Sequence, residues 1–277
     1  MLNLGFVVVE AVFGIVGESL ALLADAGHNL GDVLGLLLAW GASVLAKQPT
    51  TTLRTYGLRR ATILASLLSA ILLLVALGGI AWEAIQRIVN PVDVDGPVVI
   101  AVAGVGFVIN AATAMLFMKG QHDDLNIRGA FLHMAADAAV SLGVVVAGIV
   151  IMATGWSWVD PATSLLVAAI ILIGTWGLLR DSANLAVDAV PRHIDPDLVR
   201  GYLESLPGVT EVHDLHIWAL STTSTALTIH IVIPTVGDDD DFIRETTDQL
   251  HTRFGIDHST IQIERGGLDH AYCEVDR

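Results

Sequence analysis

The sequence predicts an α-helical membrane protein, in which a bundle of six transmembrane helices is followed by a water-facing α+β domain. Of the 277 residues, 53% are apolar and only 16% are charged, whereas soluble domains carry about 25% charged residues. The charge is also uneven, with a net of −3 over residues 1–180 and −12 over residues 181–277. We therefore expect a transmembrane domain at residues 1–182 and a second domain at residues 190–277.

Composition also limits the function classes. The strongly acidic second domain disfavours nucleic acid as a partner and favours cations. The single cysteine, Cys273, excludes an intrachain disulfide framework and any all-cysteine zinc module.

The membrane spans follow from apolar length, because a helix that crosses a bilayer core needs about 20 mostly apolar residues. The stretch Leu2–Gly17 is shorter, lacks the basic start and cleavage site of a signal peptide, and carries Asn3 and Glu10. We interpret it as a true first span whose N-terminal end is trimmed or absent. The five longer stretches are Leu20–Leu45, Ile63–Ile85, Val98–Phe117, Phe131–Ala153 and Ala162–Leu179.

The basic residues of the loops predict the orientation. Six basic residues lie in the connections between spans 2 and 3 and between spans 4 and 5. Only Arg87 lies beside the connections on the opposite side of the membrane. Basic loops stay in the cytoplasm, and an even number of spans returns both ends to the same side. Both termini are therefore predicted to be cytoplasmic. The six residues are Lys47, Arg54, Arg59, Arg60, Lys119 and Arg128.

The second domain shows the element order αββαβ. Its sheet strands are rich in β-branched residues, and the second strand alternates apolar and polar positions. Such a pattern is typical of a sheet with one face covered by helices. The predicted elements are a helix from Pro196, strands Val209–Leu220 and Thr225–Ile233, a helix from Asp238 to Phe254, and a strand Thr260–Glu264.

The chemistry is concentrated in two spans. Span 2 contains His28 and Asp32, span 5 contains His133 and Asp137, and both pairs have the spacing His-x-x-x-Asp. Residues four apart lie on one helical face, so two facing helices would present two imidazoles and two carboxylates. Two nitrogen and two oxygen ligands suit tetrahedral Zn²⁺. Two oxygen ligands are too few for Ca²⁺ or Mg²⁺.

A single His-x-x-x-Asp pair would ordinarily be a local hydrogen bond. Two such pairs in two spans favour a metal site, because ionised groups in a membrane are costly and usually functional. A membrane metallohydrolase would require His-Glu-x-x-His, which is absent from the sequence. A zinc sensor or scaffold that does not transport remains the alternative from a different class.

The sequence closely resembles the cation diffusion facilitators, which are proton-coupled zinc exporters, over essentially its whole length. The resemblance is carried by three motifs around the first spans, the entry to span 3, and span 5. These are Asn3, Glu10 and Gly14 with Ser19-Leu20-Ala21-Leu22-Leu23-Ala24-Asp25-Ala26-Gly27-His28 and Asp32; Tyr56-Gly57-Leu58-Arg59-Arg60-Ala61; and Leu125-Asn126-Ile127-Arg128-Gly129-Ala130-Phe131-Leu132-His133 with Asp137.

By this resemblance, His28, Asp32, His133 and Asp137 bind the transported ion, and the protein is a transporter and not an enzyme. The implied mechanism is alternating access with zinc–proton antiport. The His/Asp combination in both pairs resembles the zinc-selective members, whereas an Asp in place of the first His is associated with admission of cadmium. A broader Zn²⁺, Cd²⁺, Co²⁺ and Ni²⁺ exporter is the nearest alternative.

The resemblance also implies a ferredoxin-like second domain that dimerises and binds regulatory zinc. The segment Val212–Leu220 looks like the family's first cytoplasmic strand, and the matching positions indicate His213, His230 and Glu264 as metal ligands. His270 and Cys273 form a weaker candidate pair near the C-terminus. His216 and Trp218 are expected on the opposite face of the first strand, in packing or at an interface.

The sequence departs from the family pattern at several places. Thr62 stands where many zinc-exporting relatives have Glu, and the connection Ala46–Tyr56 has no His, Asp or Glu for an additional zinc site. The connection Lys119–Leu125 is short, which favours a bacterial inner-membrane protein over the vertebrate-like members with a long His-rich insert.

Overall fold

The structure is a computed structural model that describes residues 2–118, 125–235 and 237–266. Its first part consists of six apolar helices. Five of them are long and apolar enough to cross a membrane, and the described apolar part of the first, Gly5–Val16, is shorter. The predicted membrane bundle is confirmed. The helices are α1 (Leu2–Val16), α2 (Leu20–Ala46), α3 (Ala61–Val89), α4 (Gly96–Phe117), α5 (Leu125–Thr154) and α6 (Val159–Ala186).

The start of α2 is fixed by a carboxylate from another helix. Asp160, in the first turn of α6, accepts hydrogen bonds from Ser19 Oγ at 2.5 Å and from the backbone N–H of Leu20 at 2.8 Å. A helix leaves its first N–H groups without partners, so Asp160 satisfies donors that would otherwise be costly inside a membrane.

Helices α4 and α5 pack closely because glycines face each other. A Cβ at Gly148 would lie 2.8 Å from Ile100 Cγ1, and one at Gly96 would lie 3.2 Å from the carbonyl oxygen of Gly148. Small residues allow helices in membranes to approach at this distance. The contact holds α5, which carries His133 and Asp137, against α4.

The second domain contains α7 (Pro196–Glu204), β1 (Glu211–Ser221), β2 (Ser224–Val232), α8 (Asp239–Phe254) and β3 (His258–Glu264). The sheet order is β1-β2-β3, with β1 antiparallel and β3 parallel to β2. The predicted αββαβ order is confirmed. Both helices begin after an Asp whose side chain accepts backbone N–H groups of the first turn, as preferred N-caps do.

One face of this sheet is the core of the domain. Leu227, Ile229 and Ile231 of β2 are fully buried and pack with Val199 and Leu203 of α7. Alternation along β2 therefore directs Thr228 and His230 to the other face. Because His230 pairs with Gln262 and Val232 pairs with Glu264, β3 presents Glu264 on the same face as His230.

Strand β1 contains a β-bulge that changes the expected facing of His216. His213 pairs with His230, but His216 pairs with Thr228, so β1 has one extra residue between these pairs. Asp214, in the bulge, has a φ of +50°. The expectation that His216 and Trp218 lie on the opposite face from His213 is therefore wrong, because the extra residue restores them to the face of His213.

The described chain divides into two compact units. The first contains the described residues of Met1–Leu37 and Leu68–Gly177, and the second contains Leu38–Leu67 with the described residues from Leu178 onward. Within the second unit, the backbone N–H of Thr222, in the β1–β2 turn, donates to Thr62 Oγ1 at 3.1 Å, and Arg60 forms an ion pair with Asp188. Thr62, which departs from the family pattern, is thus a hydrogen-bond acceptor for this turn.

Candidate metal centres

The structure brings together the four side chains predicted in spans 2 and 5, which we call the membrane tetrad (His28, Asp32, His133 and Asp137). His28 Nε2 lies 3.8 Å from Asp32 Oδ2 and 3.4 Å from Asp137 Oδ1. His133 Nε2 lies 3.1 Å from Asp32 Oδ2 and 3.6 Å from Asp137 Oδ2. Each imidazole therefore contacts the carboxylate of its own helix and that of the facing helix.

These distances match the spacing that a metal requires. In a tetrahedral zinc site with bonds of 2.0–2.2 Å, neighbouring ligand atoms lie about 3.3–3.6 Å apart. Ligand atoms of His28, Asp32 and Asp137 lie within 4.8 Å of one another, and the two imidazole rings meet edge-on with centroids 6.1 Å apart. Three of the four side chains therefore already have the spacing of a metal site, and His133 Nε2 lies 3.1 Å from Asp32 Oδ2, which belongs to that group.

The tetrad is enclosed on one side and open on the other. The side chains of Asp137 and His28 are 4% and 16% exposed, whereas those of Asp32 and His133 are 33% and 46% exposed. Among the residues that the structure describes, the buried Nδ1 of His28 and Oδ2 of Asp137 form no hydrogen bond. Buried polar atoms of this kind call for a ligand or ion, and the open side gives one access.

A polar cluster beside the tetrad was not among the predicted site residues. Glu10 and Asp25 are fully buried; Asn29 Nδ2 donates to Glu10 at 3.2 Å, and Ser141 Oγ donates to Asp25 at 2.8 Å. Ionisable residues within spans are themselves a signal of function. Glu10 and Asp25 could therefore have been selected from the sequence, although it does not show that they meet.

The second cluster lies on the open face of the sheet and is called the sheet triad (His213, His230 and Glu264). Glu264 is buried, with Oε2 at 3.5 Å from His213 Nε2 and Oε1 at 3.0 Å from His230 Nδ1. The imidazole rings lie edge-on at 5.4 Å. Each of the three strands supplies one residue of the triad. The candidate ligand atoms of the three residues lie within 4.8 Å of one another. This donor set also suits a divalent transition metal.

The β-bulge adds two residues that the sequence did not indicate. Asp214 Oδ1 lies 2.9 Å from His216 Nε2, and Asp214 Oδ2 lies 3.7 Å from His230 Nε2. A bulge has no reliable signature in β1, so strict alternation placed His216 on the wrong face. The remaining predicted candidates, His270 and Cys273, lie outside the described residues.

Two family profiles match the chain. The cation efflux transmembrane domain matches residues 1–185, and the cytoplasmic domain of cation efflux proteins matches residues 191–266. The chain belongs to the cation diffusion facilitator family. This membership confirms a multi-pass membrane transporter and not an enzyme.

Curated proteins resemble this cation diffusion facilitator along most of their length. The cation efflux system protein CzcD of Alcaligenes sp. (strain CT14) is 37% identical over 96% of this chain and 84% of its own. The cadmium, cobalt and zinc/H⁺-K⁺ antiporter of Bacillus subtilis is 34% identical over 96% and 87%. The zinc transporter ZitB of Escherichia coli is 37% identical over 94% and 83%.

A solved structure, the metal-bound C-terminal domain of the CzcD transporter, is 39% identical over 26% of this facilitator and 99% of its own chain, with a TM-score of 0.24.

Proposed function

We propose that the protein exports Zn²⁺ from the cytoplasm in exchange for protons, by alternating access at the membrane tetrad. The observation that carries this proposal is the convergence of two imidazoles and two carboxylates, with four distances of 3.1–3.8 Å between them. The four residues come from two helices, so a relative movement of α2 and α5 would change the site without unfolding either helix.

The donor set supports zinc as the principal cargo. Imidazole and carboxylate together suit borderline divalent ions, whereas the lack of sulfur in the tetrad disfavours Cu⁺. Of the relatives named above, ZitB is named a zinc transporter and the Bacillus subtilis protein a cadmium, cobalt and zinc antiporter. Divalent transition-metal export is therefore the broad proposal, and preference for Zn²⁺ is the narrower one, supported by the histidine in each pair.

Proton exchange follows from the chemistry of the ligands. Metal binds neutral imidazole and ionised carboxylate, so loading the tetrad releases any protons that these groups hold. An imidazole with an ordinary pKa near 6.5 changes its protonation within the physiological range. Protons that enter from the far side can then displace the metal. The Bacillus subtilis relative is itself named as an antiporter for H⁺ and K⁺.

The direction of transport rests on the loop charges. Six basic residues against one support cytoplasmic positions for both termini, and the relatives support a bacterial inner membrane. The acidic second domain would then raise the local concentration of cations on the loading side.

The sheet triad is proposed as a separate regulatory zinc site in a domain that dimerises. Its support is the buried Glu264 carboxylate between two imidazoles, together with the match to the family's cytoplasmic domain. Metal at this site would stabilise the domain, because it binds the folded sheet and not the unfolded chain.

Metal flux into proteoliposomes, measured with and without an imposed pH gradient, tests the proposal. We expect Zn²⁺ flux that increases with the gradient and smaller fluxes of Cd²⁺ and Co²⁺. A protein that binds zinc at the tetrad but moves no metal would instead be a sensor or scaffold. Equal flux with and without the gradient would exclude proton coupling.

A further inference from the structure

Beside the tetrad lie two carboxyl groups that none of its steps uses. Glu10 of α1 and Asp25 of α2, the acid pair, are both fully buried. They lie beside each other, because Asn29, one helical turn after Asp25, donates a hydrogen bond to Glu10. Two ionised carboxylates cannot remain in contact in a buried, low-dielectric setting. The pair therefore requires one positive charge.

The available hydrogen bonds do not supply that charge. Asn29 donates to one oxygen of Glu10 and Ser141 donates to one oxygen of Asp25. Within the described chain, the other oxygens, Glu10 Oε1 and Asp25 Oδ1, receive no hydrogen bond from any donor. Buried polar atoms without partners are rare in native proteins, so the two free oxygens mark the place of a bound ion.

The chemistry of the pair selects that ion. The donors are oxygen only, which disfavours zinc relative to the nearby imidazoles. A proton needs only one acceptor oxygen on each side, whereas K⁺ requires several oxygens to replace its hydration shell, and the pair offers two oxygens without partners. A proton held between two carboxyl groups, one acid and one carboxylate, satisfies both free oxygens at once.

Asp25 and its hydrogen-bond partner Ser141 lie on the helices that carry the tetrad. Asp25 precedes His28 by three residues in α2, and Ser141 follows Asp137 by four residues in α5, so each is one turn from a metal ligand, with Cβ atoms about 5–6 Å apart. The titratable groups of the tetrad that act on Asp25 are His28 and Asp137. Helices α1 and α4 contribute no other ionisable side chain than Glu10.

We propose that the acid pair is a second ion site that holds one shared proton while the tetrad is empty and releases it when the tetrad binds metal. A divalent ion adds two positive charges about one helical turn away, and the shared proton is the charge that can leave. This inference rests on the proposed function and adds a counter-ion site outside the metal ligands.

Proton release on metal binding tests the inference. Purified full-length protein carrying His213→Ala and His230→Ala, which removes the sheet triad, is titrated with Zn²⁺ in weakly buffered solution while pH and heat are recorded. Glu10→Gln and Asp25→Asn should each bind zinc with the same stoichiometry but release about one proton fewer per zinc than the background protein. The control Glu83→Gln changes a half-exposed carboxylate and should release the full number.

The outcomes separate the two proposals. Unchanged proton release in both Glu10→Gln and Asp25→Asn overturns the shared proton. Zinc affinity that falls with added K⁺ in the background protein, and not in Glu10→Gln, overturns it in favour of a bound K⁺. Loss of zinc binding on Asp137→Ala, together with full proton release in Glu10→Gln, would support the tetrad while refuting the acid pair.

Discussion

The membrane tetrad and the sheet triad contain similar side chains but are built in different ways. In the tetrad, two helices each contribute a His and an Asp four residues apart, so helical periodicity alone aligns each pair. In the triad, three strands each contribute one residue, and strand register decides whether they meet. A helix-built site therefore depends on the packing of two rigid elements, whereas a sheet-built site depends on pairing along the whole sheet.

The two sites also differ in exposure. In the tetrad, the side-chain exposure rises from 4% at Asp137 to 46% at His133, which leaves one open side through which an ion can pass. In the triad, both histidines are 20% exposed or less, around a Glu264 side chain that is 2% exposed. The first arrangement favours exchange of an ion, and the second favours retention.

The largest effect is expected for Asp137→Ala in the tetrad. This change removes the most buried carboxylate of the tetrad and its contacts with both imidazoles, so Zn²⁺ flux into proteoliposomes should fall to that of protein-free vesicles. Circular dichroism should show unchanged helix content, because Asp137 is not a cap. Asp93→Ala, in an exposed loop, is the control and should retain full flux. Undiminished flux in Asp137→Ala would contradict the transport site.

Zinc should stabilise the second domain strongly through the triad. At a concentration one hundred times its Kd, a ligand stabilises the folded state by about 2.7 kcal/mol. For a domain of this size, each 1 kcal/mol raises Tm by about 4–8 °C. We therefore expect a large zinc-dependent increase in Tm for a 190–277 fragment, measured by calorimetry at neutral pH, and a shift toward dimer.

Two histidine substitutions, one inside the triad and one outside it, serve as test and control in that experiment. His230→Ala should abolish the increase, whereas His251→Ala, on α8 and 65% exposed, should leave it unchanged. A fragment whose Tm ignores zinc would refute His213, His230 and Glu264 as ligands.

A smaller effect is expected for His28→Asp in the tetrad. The change leaves one nitrogen donor and three carboxylates, which adds negative charge and relaxes the preference for compact tetrahedral geometry. The flux ratio of Cd²⁺ to Zn²⁺ in the same vesicles should rise about tenfold, equivalent to ~1.4 kcal/mol. A ratio that stays constant or falls would show that His28 does not set selectivity.

The proximity of the four tetrad side chains could be predicted from the sequence, whereas the facing of residues on the sheet could be predicted only in part. His28 and Asp32, like His133 and Asp137, are linked by helical periodicity, which tolerates errors of a residue or two in the helix ends. The facing of His216 depends on every residue between it and His213, and one extra residue reverses it. The contact between Glu10 and Asp25 depends on how α1 packs against α2, which no local pattern encodes.

The smallest effect is expected at Asp214, where charge and backbone can be separated. Asp214 lies in the β-bulge with a φ of +50° and contacts both His216 and His230. Asn tolerates a positive φ nearly as well as Asp, so Asp214→Asn should keep the bulge and lose only the charge. Zinc affinity of the fragment should weaken by less than about tenfold, or ~1.4 kcal/mol.

Asp214→Ala provides the comparison, because Ala lacks both the charge and the tolerance for a left-handed backbone. It should lower the stability of the zinc-free fragment by about 1–2 kcal/mol, whereas Asp214→Asn should leave that stability nearly unchanged. Thermal denaturation without zinc, followed by zinc titration, measures the two effects independently. If both variants bind zinc like the wild type, Asp214 only shapes the strand, and the triad functions without a fourth polar neighbour.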